Sequence, residues 1–308
     1  MAEIRYSSDN FFESPRKALD FFLDHSFFRT KNIFEAHATG KGGMIFRGQS
    51  DASRRLIPTA FREGAFDDYT PQAPGKNDDS LMNFGVQLHA EGRAINLFLQ
   101  AADEIGITNP IDYTQMSTGR GIIKAALNEN HYDYNEEFPL KCDQRATALA
   151  QHHGVPTRYL DWSESPLVAL YFAAFGASSF SKKIVSKDRE IAVYYLSVSQ
   201  VTGKNSPLEL VRAPRHESSH LLQQVGVFTN LKYANQFFIK NKHWPSVEDY
   251  ITPTYQVHRI RLPAQKADET LRMLYDLGVT RHSLMPTLGN AAKSYSYAKT
   301  LWSGNSGN

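Results

Sequence analysis

The segment "PLVALYFAAF", residues 166–175, constrains the fold more than any other part of the chain. It is apolar nearly all round, so a helix made from it has no polar face for solvent and must be buried. Ser165 and Pro166 predict where this helix begins, because a serine hydroxyl accepts an N-terminal N–H and proline suits the first helical position. The segment is therefore predicted to be a core helix, entered directly from the preceding strand.

The remaining elements are mixed in order. Apolar residues at helical spacing predict helices within 10–38 and at 81–106, 118–128 and 142–153, and the later part of 50–80 reads as an exposed loop. Short apolar or alternating runs predict strands at 44–49, 157–162, 189–198, 225–231 and 255–262. Helices come first and strands concentrate later, which favours an α+β fold over a regular βαβ repeat.

Composition predicts an ordinary globular protein of 308 residues that is 41% hydrophobic. No apolar window approaches membrane-spanning length, and the N-terminus lacks a signal pattern, so the expected location is cytoplasmic with no membrane partner. Cys142 is the single cysteine, which fits a reducing compartment and excludes an internal disulfide or a cysteine-based metal cluster. Nothing around Cys142 indicates a nucleophile, and a structural thiol is predicted.

Charge is distributed unevenly along the chain. Residues 1–150 carry 16 Lys and Arg against 21 Asp and Glu, whereas residues 151–308 carry 18 against 11, and the net charge is +2. A basic half suits an anionic partner but also suits a solvated surface. Residues 231–244 and 293–302 interleave lysines with aromatics, which is typical of nucleic-acid binding and equally of a core helix with lysines at its rim.

"HESSH", residues 216–220, matches the pattern in which two histidines four apart bind zinc from one helix face. Zincin helices continue for several turns, whereas here Pro214 precedes the pattern, Gly226 follows it and its two serines weaken a helix. A short capped turn is favoured, and no metal is predicted. The chain contains no P-loop, G-x-G-x-x-G or G-x-S-x-G motif, so triphosphate-dependent and serine-hydrolase chemistry lack support.

Arg47 stands near the end of a predicted buried strand and is followed by Gly48. A guanidinium there is suited to gripping a phosphate, and glycine lets a ligand or another backbone approach closely. An internal ion pair, for instance to Asp161, is the competing interpretation. His152 and His153 are adjacent, so they cannot chelate one metal together, and a histidine near a helix end is often structural.

The chain resembles the FRG domain family of bacterial proteins. The resemblance is carried by "FRGQ", by "LIPTAFR" (56–62) and, most specifically, by "LAQHHGVPTRYLDWSESPLVALYFA" (149–173). "QVGVF" (224–228) and "LGVTRHSLMPTLGN" (277–290) extend it to about residue 292. Two departures are His220, where the family usually has an arginine, and the "MPTLGN" tail.

The order of these blocks also resembles that of the ADP-ribosyltransferases. That resemblance implies one domain over 1–308, with a split mixed β-sheet, N-terminal helices at 10–38 and a helical insertion at about 63–148. It also implies NAD as a substrate. Arg47 matches the first element of such enzymes, and Thr157, Ser163 and Ser165 are the hydroxyl candidates for the second. In the third element Gln224 stands where a glutamate is expected.

Transfer of ADP-ribose passes through an oxocarbenium-like state, which a nearby carboxylate stabilises. Because Gln224 lacks that charge, Asp161 or Glu164 would have to supply it. The predicted catalytic residues are Arg47, Asp161, Glu164 and Gln224. The predicted NAD-binding residues are Arg47, Gly48, Gln49, His152, His153, Thr157, Arg158, Tyr159, Trp162 and Ser163. The alternative is that Asp161, Arg158 and Trp162 form a buried polar network that specifies the fold.

The leading hypothesis is therefore an NAD-dependent ADP-ribosyltransferase toxin that modifies nucleic acid, with single-stranded RNA as the first candidate acceptor. The resemblance implies a role in phage defence or in a toxin–antitoxin system, with an antitoxin protein as a partner. A non-catalytic nucleotide- or nucleic-acid-binding module is the alternative, and a zinc hydrolase built on "HESSH" is a third possibility.

Overall fold

The computed structural model of the chain describes residues 6–24, 43–69, 80–107, 144–180, 188–203, 205–213 and 219–303. Seven strands form one mixed sheet in the order β1-β7-β4-β2-β3-β6-β5, in which β1 and β7 are parallel and the other neighbours antiparallel. The α+β class is confirmed. The strands are β1 Ser8–Phe11, β2 Met44–Gln49, β3 Tyr159–Ser163, β4 Glu190–Ser197, β5 Leu208–Val211, β6 Gly226–Leu231 and β7 His258–Pro263.

Helices cover both faces of this sheet. The longer ones are α1 Pro15–Asp24, α2 Ser80–Glu104, α3 Gln144–His152, α4 Pro166–Ala177, α7 Ala234–Asn241, α8 Ala267–Asp276 and α11 Ser294–Ser303. Shorter ones are α5 Val198–Thr202, α6 Ser219–Gln223, α9 Arg281–Leu284 and α10 Leu288–Ala292, with 3₁₀ turns at Thr59–Phe61, Val247–Tyr250 and Ala264–Lys266.

The central strand β4 shows why the sheet is covered twice. Ile191, Val193 and Tyr195 face the core on the side of α1, α4 and α8, whereas the residues between them face the other core. Side chains alternate across a strand, so a strand that is apolar at every position requires a layer on each face.

The predicted core helix is confirmed as α4. Ser165 caps it by accepting a hydrogen bond from the Val168 N–H at 3.4 Å, and Pro166 occupies its first turn. The helix lies close to β2, because a Cβ built on Gly48 would come within 1.8 Å of the Ala169 carbonyl oxygen. Of the two reasons for glycine at position 48, the close approach of another backbone is therefore the one that the structure supports.

The prediction of a helix from residue 10 is wrong at its start. Residues 8–11 form β1, whose Asn10 pairs with Ile260 of β7, and Asp9 binds both Arg259 and Arg261 at 2.6–2.7 Å. These ion pairs hold the segment at the sheet edge, and the helix begins only at Pro15. The remainder of that prediction, like the helix at 118–128, Cys142 and the first three residues of "HESSH", lies outside the described residues.

The predicted strands and the helices at 81–106 and 142–153 are confirmed over their described residues, with bounds that differ by at most three positions. The strand β5 was not predicted, because four residues are too few to show alternation. Residues 62–69 form the predicted loop, although Phe66 within it is buried.

Candidate functional site

The sheet is only narrowly joined between β2 and β3. β2 pairs with β4 over six residues and β3 pairs with β6 over five, but β2 and β3 pair only at Phe46 and Ser163. Beyond that pair the two strands part. Arg47 of β2 reaches across the gap, and its Nη1 donates a hydrogen bond to the Asp161 carbonyl oxygen at 2.6 Å.

A cavity of about 470 Å³ opens at this gap. This volume lies within the range of roughly 300–1,000 Å³ that is usual for small-molecule sites. Helix α4 and Met285 supply an apolar wall, and the polar groups come from the two parted strands, α3 and α6. The lining residues are Phe46, Arg47, Gly48, Gln151, His152, Asp161, Trp162, Ser163, Val168, Ala169, Phe172, His220, Gln224 and Met285.

Arg47 and Asp161 are the charged residues of this lining, and they differ in exposure. The Arg47 side chain is 15% exposed and that of Asp161 is 57% exposed, with 3.7 Å between Nη1 of Arg47 and Oδ2 of Asp161. Burial lowers the pKa of Arg47, and Asp161 opposes this shift. The buried Arg47 Nε has no hydrogen-bond partner within the described chain. The pair is therefore loose, and it leaves hydrogen-bonding capacity for an anionic ligand.

Gln151 orients the Asp161 carboxylate. Its Nε2 donates to Oδ2 of Asp161 at 2.9 Å, and its Oε1 accepts from the Thr157 hydroxyl at 2.6 Å. The Thr157 hydroxyl also accepts from the Tyr159 N–H. Thr157 thus holds the Gln151 side chain in place and does not itself line the cavity.

Three histidine rings stand in a row beside these groups. The ring centroids of His152 and His220 are 5.3 Å apart, and those of His152 and His153 are 5.2 Å apart. Burial, together with His153 and His220, lowers the pKa of His152 to about 4. His152 is therefore neutral at physiological pH and is suited to hydrogen bonding. His153 turns from the cavity and stacks on Phe98.

The structure does not bring Arg158 to the cavity. Its side chain is 2% exposed and donates to both carboxylate oxygens of Glu91 and to the Asn235 amide oxygen. It also lies over the rings of Phe61 and Trp244 at 5.3 and 5.0 Å. A ligand-binding role does not fit these contacts, because every face of the guanidinium meets protein.

Three other predicted site residues also lie away from the cavity. Tyr159 is fully buried beside Phe228. Glu164 is 8% exposed and accepts from Arg212 at 3.2 Å. The Gln49 amide donates to the carbonyl oxygens of Asp51 and Arg54, so it holds the following loop.

Trp162 and Ser163 line the cavity but have structural partners. The Trp162 indole N–H donates to the Thr229 hydroxyl at 2.8 Å, and its side chain is nearly buried. The Ser163 hydroxyl donates to the Gln224 carbonyl at 2.7 Å and accepts from the Ser165 N–H. Trp162 can therefore present an edge to a ligand but cannot stack freely on one.

Gln224 lines the cavity and directly precedes a strained backbone position. Its Nε2 donates to the Leu284 carbonyl at 3.2 Å, and the next residue, Val225, has φ +47°. A β-branched residue rarely adopts this left-handed conformation, which costs on the order of 1–3 kcal/mol. Such strain is often retained at binding sites, where it aims a side chain.

Gln151 and His220 were not predicted as site residues. Gln151 lies in the segment 149–173 that carries the family resemblance, directly before the predicted site residue His152. This position is the sequence signal that could have identified it. His220 was considered only as part of "HESSH" and as a family departure. The structure describes no group of three or more His, Cys, Asp or Glu residues placed to hold a metal ion.

Two aromatic residues of 231–244, Phe238 and Trp244, pack against the core, whereas Tyr233 is exposed. Trp244 stacks on Phe238 and Phe61, with centroids 4.3 and 4.5 Å away. These rings are not free to stack on bases, which supports the core-helix interpretation of this segment. Among the described helices, none has both the length and the apolar character that a membrane crossing requires.

Comparison with known proteins identifies one family in this chain. Residues 42–182 match the model of the FRG domain, over a little under half of the chain, which supports the FRG assignment. The match includes β2, β3 and α4, and hence most of the cavity wall. No curated protein and no solved structure matches the chain.

Proposed function

We propose that this protein is an NAD-dependent ADP-ribosyltransferase whose active site is the cavity between β2 and β3. The observation that carries the proposal is the pairing of Arg47 with Asp161 at the point where the strands part. It puts a phosphate-binding cation and an exposed carboxylate in one ligand-sized hollow. The sheet would then be the split sheet expected for such enzymes.

In this proposal Arg47 holds the pyrophosphate of NAD. Its Nη1 contacts the Asp161 carbonyl, which leaves further guanidinium protons for phosphate oxygens. Neutral His152 and the amide oxygen of Gln224 provide hydrogen-bond partners for ribose hydroxyls. The apolar wall of Phe172 and Met285 suits the nicotinamide ring.

Asp161 is the proposed charge stabiliser. Among the described carboxylates it is the one that lines the cavity, whereas Glu164 binds Arg212 outside it. The bond between ribose C1′ and the nicotinamide nitrogen breaks, and nicotinamide leaves with the electron pair. The acceptor atom then bonds to C1′ and loses its proton, while Asp161 faces the transient positive charge.

The proposed acceptor is nucleic acid, with single-stranded RNA as the first candidate. The proposed setting is a bacterial toxin in phage defence or in a toxin–antitoxin pair, with an antitoxin protein as partner. The setting and the antitoxin partner rest on the family resemblance alone, whereas the choice of acceptor also rests on the excess of Lys and Arg over Asp and Glu in residues 151–308.

Incubation with NAD labelled in its adenylate phosphate, with separate RNA, DNA and protein pools, tests the proposal. We expect label on the nucleic acid for the wild type. For Arg47→Ala and Asp161→Asn we expect about a 100-fold or greater loss, the scale seen when one transition-state contact is removed. Arg16→Ala is the control for removing an arginine, because the Arg16 side chain is 75% exposed on α1.

Full transfer by folded Arg47→Ala would overturn the site, and labelled protein with unlabelled nucleic acid would overturn the acceptor. NAD binding without any transfer would instead support the alternative function, a non-catalytic nucleotide-binding module. One observation favours that alternative: Gln224 replaces the expected glutamate, and its amide is engaged by Leu284.

A further inference from the structure

We propose that Thr157 and Gln151 are positioning residues that hold the Asp161 carboxylate by one oxygen, Oδ2, and leave the other, Oδ1, to face the reacting sugar. In this role Gln151 acts on Asp161, and Thr157 acts on Gln151. The inference rests on the proposed function for the reaction itself, whereas the hydrogen bonds that carry it can be tested without catalysis.

A chain of hydrogen bonds runs in one direction toward Asp161. It begins at the Tyr159 N–H, which donates to Oγ1 of Thr157 at 3.2 Å. A backbone N–H can only donate, so the hydroxyl proton of Thr157 is left for Oε1 of Gln151, 2.6 Å away. The Gln151 Nε2 then donates to Oδ2 of Asp161 at 2.9 Å. An ionised carboxylate can only accept, so the direction of the chain is fixed at both ends.

Thr157 determines which end of the Gln151 amide meets Asp161. The two ends of a glutamine amide are similar in shape, but one accepts hydrogen bonds and the other donates them. Because the Thr157 hydroxyl donates to Oε1, the NH₂ end is presented to the Asp161 carboxylate. In the reversed orientation the amide oxygen would face the carboxylate and repel it. Removal of the hydroxyl should therefore loosen the contact between Gln151 and Asp161.

The backbone at Thr157 is held on both sides. Its carbonyl accepts a hydrogen bond from the Ala60 N–H at 3.0 Å, and its own side chain is buried. The next residue, Arg158, is fixed by Glu91 and Asn235. The oxygen that orients Gln151 therefore has a fixed position before any ligand binds, and no reordering of this group is required during a reaction.

The two carboxylate oxygens of Asp161 have different surroundings. Oδ2 accepts from Gln151 and lies 3.7 Å from Nη1 of Arg47. Within the described part of the chain no hydrogen bond reaches Oδ1, and the Asp161 side chain is 57% exposed at the cavity wall. The contact at Oδ2 restricts rotation of the carboxylate, which leaves Oδ1 as the oxygen available to positive charge at ribose C1′.

Steady-state transfer from labelled NAD to the RNA pool tests this role through kcat and KM. Thr157→Val should lower kcat on the order of 10-fold, because a misplaced Asp161 stabilises the transition state less well. KM should change by less than about 2-fold, because Arg47 still binds the substrate. Thr157→Ser keeps the hydroxyl and should restore most of the lost kcat. The matched control is Thr270→Val, which removes an equally buried hydroxyl from α8.

Gln151→Met breaks the same chain without altering the buried hydroxyl, and it tests the role even if Thr157→Val does not fold. The double variant Thr157→Val/Gln151→Met should have the kcat of Gln151→Met alone, because Thr157 acts only through Gln151. Losses that multiply in the double variant, losses confined to KM, or a Thr157→Ser protein as slow as Thr157→Val would each overturn the positioning role.

NMR of the Gln151 side-chain amide separates this inference from the proposed function. In ¹⁵N-labelled protein its signal is assigned by its absence from Gln151→Met. Asp161→Asn removes the charge that the amide faces, so it should shift this signal in the wild type and shift it less in Thr157→Val. That result supports the hydrogen-bond chain even if the wild type transfers no ADP-ribose. Equal shifts in the two backgrounds, or no shift in either, would overturn the inference whether or not transfer is found.

Discussion

Arg158 and Arg47 are two buried arginines, one just before β3 and one on neighbouring β2, with opposite surroundings. Arg158 is enclosed by Glu91, Asn235 and two aromatic rings. Arg47 donates to one backbone carbonyl, its Nη1 lies 3.7 Å from the Asp161 carboxylate, and its side chain lines the cavity. Burial of a charge therefore does not reveal its role. What distinguishes the two is whether the protein itself satisfies the guanidinium.

Removal of the enclosed arginine should reduce stability the most. Arg158→Met leaves the Glu91 carboxylate buried without its partner, which should lower the free energy of unfolding by about 3–5 kcal/mol. Arg47→Met should cost about 1 kcal/mol, because only one hydrogen bond beside an open cavity is lost. Urea unfolding of both variants measures the contrast.

The double variant Arg158→Met/Glu91→Met is the control for this pair. Removing both charges should restore part of the lost stability, since no unpaired carboxylate remains. Equal costs for Arg47→Met and Arg158→Met would erase the proposed distinction between the two sites.

A smaller effect is expected at Val225, the strained residue that follows Gln224 of the cavity wall. Alanine is usually more stable than glycine by about 0.5–1 kcal/mol. At φ +47° the order should reverse, so Val225→Gly should be more stable than Val225→Ala by about 1 kcal/mol. The same pair at Lys240, exposed on α7, should show the usual order, and urea midpoints compare all four proteins. The usual order at both positions would contradict backbone strain at Val225.

The smallest effect is a pH dependence from the cavity histidine. The His152 pKa is about 4 in the folded protein and near 6.5 in the unfolded chain, so between these values the unfolded chain binds the extra proton. Stability should therefore fall as pH is lowered from 6.5 to 4, by about 1 kcal/mol or less because the ring is partly solvated. His152→Gln should flatten this part of the profile in urea unfolding at pH 7 and pH 5. An NMR titration that finds the His152 ring protonating near pH 6.5 would exclude the neutral histidine from the cavity model.

The sequence predicted the central elements because their signals are local. Ser165-Pro166 and the apolar run after it were sufficient for α4, and Arg47, His152 and Asp161 stood in motifs that the fold brings to one cavity. The role of Arg158 was not predictable in this way. Its partners Glu91 and Asn235 are 67 and 77 residues away, so no neighbouring residue indicates that the guanidinium is enclosed.

Strand register explains most of the remaining differences. Side chains alternate along a strand, so the six predicted site residues within 157–163 could not all face one ligand. Tyr159 and Asp161 lie on the same side of β3, yet Tyr159 is buried in a cluster with Ala148, Val211 and Phe228, whereas Asp161 stands at the open gap. The width of that gap depends on pairing between segments more than 100 residues apart, and no local pattern encodes it.

The single β2–β3 pair has a consequence for how a ligand would be received. Past Phe46 and Ser163 the sheet contains an edge in its interior, and the Arg47 side chain covers that edge by bonding to the Asp161 carbonyl where a neighbouring strand would otherwise donate. A bound anion that draws Arg47 toward itself takes this substitute donor away. The same Arg47 guanidinium would therefore be needed both to bind an anion in the cavity and to bridge the two halves of the sheet.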